Sequence, residues 1–356
     1  MDRATSQRPE MDRAAKPQTT APAKASWLGE LVSRSWFWAF AALGLILLVD
    51  AVVSPEFFSI RIMQGRLYGS PIDVLYHGTP VALVGLGMAV VIGTKGIDLS
   101  VGAVVAIVGA VMTNLIHRDL SPFTVTVLTL GAGMLCGLWN GFLVAILDIQ
   151  PIIATLILMV AGRGVALLID AGLIVTFRNE FFSAISTGQI FTVPSRILVL
   201  AGAATLLWLF LRRTALGLYI ESVGGNASAA DLAGINARFA KIGAYVLSGL
   251  YSGVAGLLIC ADLRMSDPNN AGLFIELDAI LAVVIGGGSL AGGRFYLGMT
   301  VVGAMIIQCL TTSILVSPLP FQFTWFVKGA AVIVVLLLQS RRLRETIYTA
   351  FRGRRA

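Results

Sequence analysis

The sequence predicts an all-α membrane protein, a polytopic bundle of about ten transmembrane spans with both termini cytoplasmic. Hydrophobic residues make up 57% of the 356-residue chain and charged residues 13%, whereas soluble domains average about 25% charged residues. The apolar residues form blocks of roughly 20, the length at which a helix crosses the hydrocarbon core. Lys and Arg lie mainly in alternate links between these blocks, which indicates a consistent orientation.

The ten apolar blocks are of unequal quality. In chain order they cover residues 36–53, 72–93, 99–116, 123–147, 152–169, 194–211, 242–261, 273–289, 295–316 and 323–339. The eighth block is the weakest, because it carries Glu276 and Asp278 near one end and three successive glycines near the other. If the eighth and ninth blocks form one re-entrant unit, the count falls to eight.

The distribution of positive charge orients the spans. With ten spans and a cytoplasmic N-terminus, 18 of the 26 Lys and Arg residues fall inside and six outside. Cytoplasmic loops retain Lys and Arg, so this distribution is the expected one, and nine spans would leave one arginine-rich end outside. The net charge of +7 is therefore assigned to a cytoplasmic rim facing anionic membrane lipid, and it requires no nucleic-acid partner.

Composition divides the chain into three parts. Residues 1–34 are rich in Pro, Ala, Thr and charge and lack the apolar core of a signal peptide, which predicts a disordered cytoplasmic tail. Residues 35–340 form the transmembrane domain, with 212–241 as its long cytoplasmic loop, and residues 341–356 form a basic cytoplasmic tail. The three cysteines lie within apolar blocks without ligand spacing, so no disulfide framework is expected.

The loop at 212–241 contains a short helix predicted by its ends. Asn226 is a good N-cap, residues 227–233 are mostly small, and Gly234 suits the C′ position. A small-faced helix on the cytoplasmic surface can enter a groove on another protein. The residues alone favour the plainer interpretation, a connecting loop with one helical turn.

A second polar link, 93–100, separates the second and third blocks. Its glycines permit a tight reversal, and Asp98 can cap the third helix and meet the positive end of its dipole. Such a helix start either lines a path for a polar solute or is simply a well-built turn. Identical Ala-Val-Val-Ile-Gly pentapeptides at 89–93 and 282–286, each followed by a glycine-containing break, indicate an internal repeat around a central pathway.

Arg163 is a charge inside an apolar block. It lies about 11 residues into the fifth block, roughly 16 Å from the inner end at 1.5 Å per residue and hence near mid-membrane. A charge at this depth is costly unless it faces protein or water. We therefore expect Arg163 to face the bundle interior and pair with a carboxylate such as Asp50 or Asp170. A helix-pinning ion pair is favoured over contact with a solute.

Several motifs are absent from the sequence. There is no Gly-x-x-x-x-Gly-Lys-Ser/Thr loop, no Gly-x-Ser-x-Gly, no His-Glu-x-x-His and no His/Cys cluster with metal spacing. The sequence therefore predicts that this chain does not hydrolyse ATP by the phosphate-loop route, and it indicates no metal or cofactor site in this chain. Two alternatives stay open: an ion-coupled secondary carrier, and an enzyme acting on lipid-linked sugars. The second would have only scattered carboxylates at Asp262, Asp267, Glu276 and Asp278.

Motifs spread from about residue 64 to 340 resemble the permease subunits of bacterial carbohydrate ABC importers, the ribose and galactofuranose type. They are Gly-Ile-Asp-Leu-Ser-Val-Gly at 96–102, Trp-Asn-Gly at 139–141, Gln-Pro-Ile-Ile-Ala-Thr-Leu at 150–156, Arg-Gly at 163–164, Gly-Gly-Asn at 224–226, Ala-Ala at 229–230, Gly-Ile-Asn at 234–236, Glu-Leu-Asp-Ala-Ile at 276–280 and Gly-Gly-Ser-Leu-Ala-Gly-Gly-Arg at 287–294. Stretches at 65–73, 157–164 and 269–273 are most similar to galactofuranose permeases. Lys95 and Pro318 depart from the family, which usually has a small residue and Gly there.

The resemblance implies a non-enzymatic function. The chain would be the permease subunit that moves a monosaccharide, galactofuranose or a similar sugar, from periplasm to cytoplasm by alternating access. A separate ABC ATPase subunit would hold Mg-ATP and supply the energy. The other implied partners are a second permease, sister or identical, and a periplasmic sugar-binding protein facing the loops around Arg118 and Asn270. The implied location is the bacterial inner membrane. An ion-coupled secondary sugar carrier remains the alternative.

The resemblance also implies roles for two sets of residues. Those expected to couple the chain to the ATPase are Gly224, Gly225, Asn226, Ala229, Ala230, Gly234, Ile235 and Asn236. Those expected to line or gate the path are Gly96, Asp98, Ser100, Asn140, Gln150, Arg163, Glu276 and Asp278.

Overall fold

A computed structural model describes residues 35–53, 55–63 and 66–316, with further single positions between 323 and 337. The α-helices are α1 (Ser35–Val53), α2 (Ser70–Gly93), α3 (Val101–His117), α4 (Pro122–Ala145), α5 (Pro151–Ile169), α6 (Glu180–Thr187), α7 (Ser195–Arg213), α8 (Leu216–Gly225), α9 (Ala227–Leu232), α10 (Ala237–Leu263), α11 (Ile275–Ile285) and α12 (Leu297–Val316). The short strands are β1 (Arg61–Met63), β2 (Arg66–Tyr68), β3 (Val175–Thr176), β4 (Gln189–Ile190), β5 (Val193–Pro194) and β6 (Met265–Ser266).

Local sequence signals set where several of the apolar helices begin. Proline occupies the first turn of α2, α4 and α5, where its missing N–H removes no helical hydrogen bond. Ser121 caps α4 by accepting a hydrogen bond from the Thr124 amide at 3.2 Å. These starts agree with the predicted blocks to within two residues.

The predicted count of ten spans is matched only in part. Within the described residues, six helices are long and apolar enough to cross a membrane: α2, α4, α5, α7, α10 and α12. The 17-residue α3 and an apolar stretch of α1 are shorter. The eighth block contains α11, whose 11 residues cover only about 16 Å and cannot cross a bilayer alone. Cytoplasmic termini and the count of ten remain predictions. The tails 1–34 and 341–356, Pro318 and most of block 323–339 lie outside the described residues.

The core is built on α2 and α10, and backbone contacts make it tight. Every residue from 78 to 94 is buried. Where α4 crosses α10, a Cβ added to Gly137 would lie 2.2 Å from the Tyr245 carbonyl oxygen, and one added to Gly249 would lie 2.2 Å from that of Gly133. Only glycine permits this approach, which is the usual way in which helices pack closely in lipid.

The bundle has two ends, defined by the ends of α2. At its N-terminal end, which we call the hairpin end, lie the antiparallel pairs β1–β2 and β4–β5. At its C-terminal end, the coupling end, Gly93 meets Gly224 of α8. The pair β3–β6 joins the segment after α5 to the segment after α10. Apolar side chains such as Ile153, Val160 and Leu168 of α5 are exposed on the side of the bundle, as expected for contact with lipid or another apolar helix.

Candidate coupling and translocation sites

The short helix predicted after Asn226 is present at the coupling end. The Asn226 Oδ1 accepts a hydrogen bond from the Ala229 amide at 3.1 Å. Gly234 has a φ of 81°, and the amides of Gly234 and Ile235 donate to the carbonyls of Asp231 and Ala230 at 3.0 and 2.9 Å. This is the paired 5→2 and 6→1 pattern of a Schellman C-cap. The helix covers Ala227–Leu232, one residue shorter than predicted.

Hydrogen bonds also fix α9 to the helix that follows it. The Asp231 carboxylate accepts from the Ala237 amide at 3.2 Å, and Asn236 caps α10 by accepting from the Phe239 amide at 3.0 Å. Ala230 lies on the buried face of α9, whereas Ala229 is exposed and Leu232 is 91% exposed. The segment is therefore a rigid, protruding unit with a leucine at its tip, and not a loose connection.

The two glycines before the cap have different surroundings. Gly224 is buried against backbone atoms of Gly93 and Gly293, while Gly225 is exposed, with no other group near the place of a Cβ. The Lys95 ammonium donates to the Gly225 carbonyl at 3.3 Å. The segment 224–236, which we call the coupling segment after its predicted role, therefore touches both glycine-containing breaks that follow the repeated pentapeptides.

A buried polar cluster surrounds Asp98. One carboxylate oxygen accepts from the Ser100 amide at 3.1 Å, the Ser100 hydroxyl at 2.6 Å and the Asn140 amide at 3.3 Å. The other accepts from the Ser248 hydroxyl at 2.8 Å. All four residues are at most 1% exposed. Ser100, not Asp98, occupies the N-cap of α3. The prediction that Asp98 caps α3 is therefore wrong; its carboxylate instead links the start of α3 to α4 and α10.

The cluster also contains polar atoms that have no partner. Among the described residues, the Asn140 Oδ1 and the Tyr245 hydroxyl are buried without a hydrogen bond. A Cβ added to Gly96 would lie 2.6 Å from that hydroxyl, so Gly96 leaves room for the ring. Sequence reasoning missed Tyr245 and Ser248, because a lone Tyr or Ser in an apolar helix carries no motif.

Arg163 is held in a different way from the one predicted. Its guanidinium donates to the backbone carbonyls of Pro268, Asn269 and Ala271, at 3.1, 3.4 and 2.7 Å. The predicted pairing with Asp50 or Asp170 is wrong. Asp50 accepts from Ser313 at 2.7 Å, and Asp170 accepts from Ser266 at 2.6 Å. All three hydrogen bonds start at the Nη1 of the guanidinium, so backbone carbonyls of one loop take the place of the predicted carboxylate partner there.

Carboxylates nevertheless lie close to Arg163. A Cβ added to Gly102 would lie 2.6 Å from Glu276 Oε2 and 3.6 Å from the Arg163 Nη2, so both side chains lie close to this glycine. Glu276 is buried in the first turn of α11, and Asp278, two residues later, is half-buried. In the preceding loop, burial opposes ionisation of Asp267, but hydrogen bonds from the side chain and amide of Asn270 outweigh it, and the pKa of Asp267 lies below its usual value.

Gln150 belongs to neither cluster. It precedes α5 without a side-chain cap and lines a cavity of about 260 Å³ at the coupling end, together with Lys95, Asp148, Lys241 and Ala227. The predicted path residues are therefore divided between the Asp98 cluster, the Arg163 cluster and this cavity.

One further charged group escaped sequence reasoning. At the hairpin end, buried Arg196 forms an ion pair with Asp262 at 3.0 Å, and the Tyr76 hydroxyl donates to the same carboxylate. The guanidinium also lies 4.7 Å from the centre of the Tyr76 ring. Asp262, weighed above as an enzymatic carboxylate, instead joins α2, α7 and α10.

Comparison with known proteins gives consistent results. Residues 70–336 match the family described as branched-chain amino acid transport system / permease component. The chain is 53% identical, over 86% of its length and 90% of the relative's, to the galactofuranose transporter permease protein YtfT of Escherichia coli. It is 32% identical to the fructose import permease FruF of Bifidobacterium longum, covering 90% and 92%, and to the ribose import permease RbsC of E. coli, covering 87% and 96%. No solved structure matches the chain.

Proposed function

The chain belongs to the family of branched-chain amino acid transport system / permease components, and we propose that the cargo it carries is galactofuranose or a closely similar monosaccharide. It is a multi-pass membrane protein, the permease component of a sugar ABC importer, and not an enzyme. The observation that carries the choice of cargo is the 53% identity to a galactofuranose permease across nearly all of both chains, against 32% for the ribose and fructose permeases.

The proposed energy source is a separate ATPase subunit that binds Mg-ATP. Support comes from α9, which is capped at both ends and presents the 91% exposed Leu232. A large apolar side chain on a rigid, protruding turn is suited to a groove on a partner, because little conformational entropy is lost on binding. The cytoplasmic location of α9 and of both termini is part of the same proposal.

A second permease subunit and a periplasmic sugar-binding protein complete the proposed importer. The exposed apolar face of α5 is compatible with the second permease, sister or identical. The loop 267–271, held by Arg163, gives a firm outer surface for a binding protein. Alternating access would then move the polar residues of the Asp98 and Arg163 clusters relative to one another.

Reconstitution tests the function. The chain, its ATPase and its second permease are placed in proteoliposomes, and uptake of labelled galactofuranose is followed with the loaded binding protein outside. We expect uptake only with ATP inside. The matched control is a vesicle holding this chain alone under a pH gradient. Uptake there would identify an ion-coupled secondary carrier and overturn the proposal, and so would ATP-driven uptake of ribose in preference to galactofuranose.

A further inference from the structure

Three segments that are distant in the chain meet through glycine backbone at the coupling end. They are the end of α2 at Gly93, the end of α8 at Gly224 and the break after α11 at Gly293. The Gly293 amide donates to the Gly93 carbonyl at 3.0 Å. We call this contact of Gly93, Gly224 and Gly293 the glycine joint.

Gly224 fits the joint with no space to spare. A Cβ at this position would lie 1.7 Å from the Gly93 carbonyl oxygen and 2.6 Å from the Gly293 nitrogen. Since both neighbours are backbone atoms, no rotamer change can relieve such a clash, and the segments would have to separate by more than 1 Å. A contact of this kind transmits displacement, because close-packed protein atoms have low compressibility.

Lys95 spans the same joint from the side. It has a φ of 66°, and its Cγ lies 2.3 Å from the place of a Cβ on Gly292. Its ammonium donates to the Gly225 carbonyl, one residue before the cap of α9. The side chain thus holds the 93–96 break, the 286–293 break and the coupling segment together.

The joint is connected along the chain to two helices. Through Gly93 it is continuous with α2, whose 24 residues span about 36 Å to the hairpin end. Through the 286–293 break it is continuous with α11, whose first turn contains Glu276 of the Arg163 cluster. The first of the two identical pentapeptides ends α2, and the second covers the last four residues of α11 and its C-cap, Gly286.

We propose that the glycine joint, held by Lys95, is the element that transmits movement of α9 to α2 and α11 together. In this inference, which rests on the proposed function, Gly224 and Lys95 are positioning residues that act through the backbone of Gly93 and Gly293. The requirement is for the absence of a side chain at residue 224, and for a long cationic side chain at residue 95.

The test compares Gly224→Ala with Gly298→Ala in the assembled importer. Gly298 is exposed near the start of α12, where a Cβ meets nothing within 4 Å, so this variant should match the wild type. For Gly224→Ala we expect at least a tenfold loss of uptake per assembled complex, with assembled complexes counted from the ATPase that co-purifies with each variant. Stimulation of ATP hydrolysis by the loaded binding protein should fall in parallel. Wild-type uptake by Gly224→Ala would refute the joint.

Lys95→Met covers the case in which Gly224→Ala does not fold. It keeps the aliphatic stem against Gly292 and removes only the ammonium, and we expect a threefold to tenfold loss of uptake with unchanged assembly. Wild-type uptake by Lys95→Met would overturn the role of Lys95 and, if Gly224→Ala cannot be assembled, the joint. Failure of the wild-type importer itself to take up sugar would refute the proposed function, a result distinct from any difference between variants.

Discussion

Removing one donor from the Asp98 cluster should cost far more than removing an ordinary serine hydroxyl. Ser248 donates at 2.8 Å to a carboxylate that is 1% exposed. Losing this hydrogen bond leaves a buried acceptor without its partner, which costs about 1–3 kcal/mol. We therefore expect Ser248→Ala to lower the free energy of unfolding by about 2 kcal/mol.

The assay is equilibrium unfolding in mixed micelles, followed by tryptophan fluorescence, with Thr214→Ala as the control. The exposed Thr214 follows the end of α7, and its hydroxyl donates to the Phe210 carbonyl of that helix, so its loss should change stability by less than about 0.5 kcal/mol. A double-mutant cycle of Ser248→Ala with Asp98→Asn should give a coupling energy above about 0.5 kcal/mol. Equal effects of the two single hydroxyl variants, or strict additivity in the cycle, would refute the reasoning.

Three other predictions concern single groups. Arg163→Ala should free the 267–271 loop and raise its rate of proteolysis from the outer face at least tenfold. A double-mutant cycle of Arg163→Ala with Asp50→Asn should show additive effects on stability. Strong coupling in that cycle would instead support the rejected ion pair between Arg163 and Asp50. Asn226→Asp keeps the cap but adds charge, and should lower co-purification of the ATPase without altering the yield of inserted protein; unchanged co-purification would contradict docking there. Leu232→Glu on α9 should abolish co-purification of the ATPase, whereas Leu218→Glu, at an exposed position of α8, should not. Equal loss in the two variants would argue against α9 as the docking helix.

The features that sequence predicted well are local. The caps at Asn226 and Gly234 follow from backbone chemistry within one helical turn, and both are confirmed. The apolar blocks predicted most helices, because length and hydropathy are properties of the segment itself. The exception is α11, which covers only Ile275–Ile285 of the block 273–289 and ends before the glycines of 286–288.

The features that sequence could not predict depend on distant contacts. Arg163 was expected to need a carboxylate, but an inward-turned backbone supplies carbonyl oxygens that leave no trace in the residue pattern. Ser248 lies 150 positions from Asp98, and no spacing rule connects them. The repeated pentapeptides did indicate two related breaks, yet only the fold places Gly224 between them.

The central claim, that α9 is a cytoplasmic docking element for an ATPase, is tested most directly by labelling Leu232→Cys with a membrane-impermeant maleimide. The wild-type chain is the control for its own cysteines, of which Cys260 and Cys309 are buried and Cys136 is partly so. We predict labelling in inside-out membrane vesicles only, and protection when the ATPase is bound. Labelling in right-side-out vesicles, or equal labelling with and without the ATPase, would contradict the claim.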